Sequence, residues 1–117
     1  SLSKNNDQEK KNRSAAIQAA TKHAIEVPFE VMQSAYQSLE VIQAMATIGN
    51  PNSLSDAGVG ALCARTAVYG AYLNVRINAG GLADKTFAEE ILIKAKNLLQ
   101  ETLVKEAEIL NLVESKI

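Results

Sequence analysis

Gly49-Asn50-Pro51-Asn52-Ser53 is the clearest interruption in the chain, and the long stretches on either side of it limit the fold to helices. Gly and Asn suit a left-handed helix end, Pro51 cannot continue a helix, and Ser53 or Ser55 can cap the next one. Upstream, Asp7 is placed to cap a helix on which Ile17, Ala20, Ala24 and Val27 recur at helical spacing. Pro28 is expected to end or kink that helix and open another. The second one carries Phe29, Met32, Ala35, Tyr36, Leu39, Ile42 and Ala46 on its apolar side.

Downstream, Leu54 to Asn78 reads as one long helix with two stripes. Val59, Leu62, Cys63, Thr66, Tyr69 and Leu73 form one; Gly60, Ala64, Ala67, Ala71, Asn74 and Asn78 form the other. A helix buried on both sides would be central to its bundle or lie at a subunit interface. Ala79-Gly80-Gly81 stops it, and a last helix starts near Asp84 or Thr86. Its stripe is Ala88, Ile91, Ala95, Leu98, Leu99, Thr102, Leu103, Leu110, Val113 and Ile117. No alternating run is long enough for a strand. The expected architecture is all-α, a bundle of about four helices within one domain spanning residues 1–117.

Composition narrows the function by exclusion. With 12 Lys and Arg against 13 Asp and Glu, the chain lacks the basic excess that phosphate recognition requires, so no nucleic-acid partner is expected. No apolar run approaches the roughly 20 residues of a membrane span. The polar opening from Ser1 to Arg13 does not read as a secretory signal. These features point to a soluble, cytoplasmic protein. A single cysteine, Cys63, excludes an internal disulfide and a CxxC motif; amid Val59, Leu62 and Ala64 it reads as a buried, inert thiol. His23 is the lone histidine, and no second Glu-x-x-His pair accompanies it, so no metal site is expected.

Two polar clusters stand out. Asn50, Asn52, Ser55 and Asp56 precede or open the long helix, where they act as a loop and cap or hold a ligand. Asn74 and Asn78 lie one turn apart on the small-residue face. Buried amides need partners for donors and acceptors alike, so this pair is either an inter-helix clasp or a ligand site.

The ordered segments Gly49-Asn50-Pro51-Asn52-Ser53-Leu54-Ser55-Asp56-Ala57-Gly58-Val59 and Gly70-Ala71-Tyr72-Leu73-Asn74-Val75-Arg76-Ile77-Asn78 resemble the cyclodeaminase/methenyltetrahydrofolate cyclohydrolase family. More narrowly, they resemble the C-terminal domain of formimidoyltransferase-cyclodeaminases. Glu9-Lys10-Lys11, Arg13, Ala16-Ile17-Gln18 and Val27-Pro28 extend the resemblance over nearly the whole chain.

The resemblance implies an all-helical folate enzyme of histidine degradation. In its reaction, N10 of 5-formimidoyltetrahydrofolate attacks the amidine carbon, ammonia leaves, and 5,10-methenyltetrahydrofolate forms. A base for N10 and an acid for the departing amine are needed, which one carboxylate can supply in turn. No cofactor beyond the folate substrate is implied. The implied partners are further copies in a homo-oligomer and a formimidoyltransferase domain in the parent protein.

The family's acid/base carboxylate lies in an upstream Asp-x-Asp segment that these residues do not contain. The chain therefore reads as a C-terminal portion of the domain. Carry-over of substrate-binding positions stops at Asn50, Asn52, Ser55, Asp56, Asn74 and Asn78, with Asp56 the one residue here that could act catalytically. The alternative is a catalytically inactive helical assembly module.

Overall fold

A computed structural model describes residues 2–117, with side chains described from Asn5 onward. It contains three helices rather than about four: α1 (Leu2–Ile48), α2 (Pro51–Ala79) and α3 (Lys85–Lys116). They run up, down and up in a slender bundle measuring 75 × 21 × 15 Å.

The missing break is at Pro28, which lies inside α1. A mid-helix proline has no N–H to give the carbonyl four residues back, here that of Ala24. The Asn78 side chain replaces that donor: its Nδ2 donates to the Ala24 oxygen at 3.2 Å. With the orphaned carbonyl satisfied from α2, α1 runs through the proline.

Packing follows a heptad on every helix. On α1 the covered or half-covered positions are Gln18, Thr21, Ile25, Pro28, Met32, Ala35, Leu39, Ile42 and Ala46, stepping by three and four. On α2 they include Leu54, Ala57, Ala61, Ala64, Val68, Ala71, Val75 and Asn78, with Gly58, Tyr72 and Ala79 buried beside that line. On α3 they include Ala88, Ile91, Ala95, Leu98, Thr102, Lys105, Ile109 and Leu112, with Leu99 and Val113 buried beside that line. A sustained 3.5-residue repeat is the pattern of helices that wind around each other with interlocking side chains.

This phase corrects two expectations. Ile17, Ala20, Ala24 and Val27, expected to be the apolar side of the first helix, are exposed; Ile25 is the buried residue there. On α2 the large apolar stripe faces outward, and the small residues make the core. Val59 is 60% and Leu73 52% exposed, and Cys63, expected buried, is exposed with them. The reason is geometric. Alanines and glycines let α1 and α3 approach α2 closely on one side, and no other helix of the chain lies against its opposite side. A methyl group added at Gly60 would sit 3.2 Å from Ile42 of α1; one at Gly58 would sit 3.6 Å from Val113 of α3.

The helix ends are fastened individually. Gly49 closes α1 at φ +72°, a left-handed conformation that glycine adopts without strain. Lys116 Nζ then donates to the free carbonyls of Ala46 and Thr47, at 2.9 and 2.8 Å. Asn50 caps α2, its side chain accepting from the Ser53 N–H at 3.0 Å, with Pro51 in the first turn. The cap is thus Asn50 rather than Ser53 or Ser55, because Pro51 starts the helix instead of delaying it. Asp84 caps α3 by accepting from Phe87 N–H. An Arg65–Glu106 ion pair ties α2 to α3.

The turn between α2 and α3 rests on Gln18, whose side-chain oxygen accepts from Ala83 N–H at 2.7 Å. The part of α1 before Gln18 runs on past that turn, and residues 5–17 are all exposed.

Candidate functional site

The continuous α2 keeps the two polar motifs apart. Asp56 and Asn78 are separated by 22 residues of unbroken helix, about 33 Å at the α-helical rise. Asn50, Asn52, Ser55 and Asp56 sit exposed at one end, and Asn74 and Asn78 at the other. One chain does not bring them to a common pocket. Asp56 lies in the second turn, too far along to cap the helix, and it is open to solvent.

Asn74 and Asn78 share a groove between α1 and α2. Val27 and Val31 contribute its α1 side, Ala67 and Ala71 its α2 side, and the two asparagines one end. Its volume is about 360 Å³, within the size range of small-molecule sites. Both asparagines were expected to be buried. Instead Asn78 is half-buried and hydrogen-bonded to Ala24, whereas Asn74 is exposed along the groove. The small residues explain the difference. Ala67 and Ala71 leave room beside α1 that no side chain fills, so the Asn74 amide faces open space rather than a neighbouring helix.

A larger groove, about 490 Å³, runs between α1 and α3 past Tyr36, Glu101, Lys105 and Glu108. Burial pushes the Tyr36 phenol above its ordinary range, and the negative charges of Glu101 and Glu40 raise it further. A phenol held neutral in this way donates a hydrogen bond but does not serve as a base near pH 7. None of the motif asparagines, nor Ser55 or Asp56, lines this groove. Sequence reasoning missed it, since it depends on the α1–α3 pairing. Among the described residues, no group of three or more His, Cys, Asp and Glu side chains is placed to hold a metal ion. Among the described residues, no helix is long and apolar enough to cross a membrane.

Residues 1–97 match the formiminotransferase-cyclodeaminase family. The chain belongs to that family. Over 116 residues it is 40% identical to a methenyltetrahydrofolate cyclohydrolase of Methylorubrum extorquens, covering 99% of this chain and 56% of that one. Over 115 residues it is 34% identical to a formimidoyltransferase-cyclodeaminase of Rattus norvegicus, covering 98% of this chain and 21% of the relative. A formimidoyltransferase-cyclodeaminase of Dictyostelium discoideum is 36% identical over 102 residues, covering 85% of this chain and 19% of its own length. The chain thus spans about half of the cyclohydrolase and about a fifth of the two bifunctional relatives.

Proposed function

We propose that this chain is a portion of a folate one-carbon domain. Its parent closes 5-formimidoyltetrahydrofolate to the methenyl form with loss of ammonia, or opens the methenyl ring with water. Both reactions pass through a tetrahedral carbon held between N5 and N10, so one folate-binding frame serves either. The observation that carries this reading is near-complete coverage of the chain by relatives whose names state these folate reactions. The groove at Asn74 and Asn78 supports it, offering a small-molecule slot with amides at one end.

The α1–α2 groove has no carboxylate among its lining residues, and Asp56 lies 11 residues before Ala67, about 16 Å from the near end of the groove along α2. In this reading the chain binds and positions substrate, and the proton-transferring carboxylate comes from the rest of the domain. Incubated alone with 5-formimidoyltetrahydrofolate, the chain is expected to release little or no ammonia. Adding the remainder of the parent domain as a separate polypeptide should raise release well above either part. Full turnover by this chain alone, abolished by Asp56→Asn, would instead make Asp56 the catalytic acid and base. The parent acts in the cytoplasm, in histidine degradation when it carries the cyclodeaminase reaction.

A second reading, an inactive assembly module, draws on the exposed stripe of α2. Val59, Leu62, Thr66, Tyr69 and Leu73 repeat the three-four spacing of the inner seam, so α2 presents a second helix-pairing face to solvent. Both readings include self-association through this face, and only the first requires folate binding. Sedimentation at micromolar concentration should give an oligomer. The double variant Leu62→Glu, Leu73→Glu should be monomeric with unchanged helix content. A wild-type monomer would remove the assembly role.

A further inference from the structure

The α1–α2 slot differs from the grooves that α3 lines in what surrounds it. Every lining side chain is uncharged, and the only polar ones are the amides of Asn74 and Asn78. Asn78 is fixed in place because one of its N–H groups serves the Ala24 carbonyl that Pro28 leaves free. It keeps its carbonyl oxygen and a second N–H for another partner. Asn74, one turn earlier and exposed, keeps its full complement. Two amides on one helix face therefore offer adjacent donors and acceptors at the end of a cleft with aliphatic sides.

We propose that this slot takes the pterin end of a folate, not its aminobenzoylglutamate end, with Asn74 and Asn78 reading the pterin edge; this rests on the folate reading above. A pterin is flat, with apolar faces suited to Val27 and Val31 on one side and Ala67 and Ala71 on the other. Its edge carries a ring N–H donor beside a carbonyl acceptor, which an asparagine amide pairs with in both senses. The glutamate tail carries carboxylates, and an uncharged slot gives them nothing in exchange for lost hydration. It extends instead toward solvent or a neighbouring chain.

The test follows the side-chain NH₂ resonances of Asn74 and Asn78 in the isotope-labelled chain. The titrants are 6-hydroxymethylpterin, p-aminobenzoylglutamate and 5-formyltetrahydrofolate. The pterin and the whole folate should move both resonances, and p-aminobenzoylglutamate should leave them in place. Asn74→Leu should weaken the pterin and the folate about tenfold or more with an unchanged melting temperature, because Asn74 makes no inter-helix hydrogen bond. Folate binding in which the pterin alone leaves the amides unmoved, or in which p-aminobenzoylglutamate moves them, overturns the assignment and leaves the folate reading standing. Binding by neither pterin nor folate overturns both.

Discussion

Ile109→Ala should destabilise the chain by about 2–5 kcal/mol, the range for removing a large buried aliphatic side chain and leaving a cavity. Ile109 is fully buried and belongs to the core cluster around Leu39, Leu54, Ala57 and Ala61. Half of that cluster's eight buried residues are alanines, which have no side-chain freedom to relax into the space. Leu103→Ala is the matched control. Leu103 is 37% exposed and should cost well under half as much. Urea denaturation followed by the helical circular dichroism signal reads both. A loss of 2–5 kcal/mol is a large fraction of the stability of a small domain, so the Ile109 variant should be partly unfolded at moderate temperature. Equal losses at the two positions would contradict the packing described here.

The contrast between these residues also marks how far the helices could be read from the sequence. The loose apolar spacing of the last helix includes Leu103 and omits Ile109, because it accepts both phases over several turns. The strict heptad decides between them: Ala88, Ile91, Ala95, Leu98, Thr102, Lys105 and Ile109 step by three and four, and Leu103 falls off that line. The half-buried Lys105 interrupts the apolar repeat, whereas Thr102 on the same line does not. Thr102 is fully buried and satisfies its hydroxyl on the Leu98 carbonyl at 2.8 Å, so it packs as an apolar residue would.

The two inter-helix breaks were legible because glycine, asparagine and proline act locally there. Which stripe of α2 faces inward was not, since it depends on how closely neighbouring helices approach. Hydrophobicity favours the Val59–Leu73 stripe, and backbone proximity favours the alanines. Within this chain the alanines prevail. The same limit applies to the candidate site. Asn74 and Asn78 could be marked as unusual, but that they share a groove with Val27 and Val31 follows only from the register of α1 against α2.

Asn78→Leu should cost about 1 kcal/mol, with the loss depending on Pro28. Asn78 occupies a heptad position facing α1, and its Nδ2 serves the carbonyl of Ala24 at 3.2 Å. Leucine suits the seam sterically, so the cost comes from the lost hydrogen bond to the Ala24 carbonyl, which solvent replaces only in part because Ala24 is exposed. Pro28→Ala restores the N–H that α1 lacks and gives Ala24 its ordinary intrahelical bond. In the double variant the leucine should therefore cost much less than in the wild type. The coupling in such a cycle should be about 0.5–1 kcal/mol, measured by thermal or urea unfolding.

Pro28→Ala alone should raise stability or leave it unchanged, since alanine is the better helix former at a mid-helix position. If the proline persists despite that, its role lies in the pairing itself. A single polar seam residue bonded to one particular carbonyl fixes the register of α1 against α2, and a one-heptad slip would strand both groups. That register also sets Val27 and Val31 opposite Ala67 and Ala71. The double variant Pro28→Ala, Asn78→Leu is thus expected to fold stably while losing the fixed slot at Asn74. Independent, additive costs for the two substitutions would show that the Asn78–Ala24 bond does not compensate for the proline.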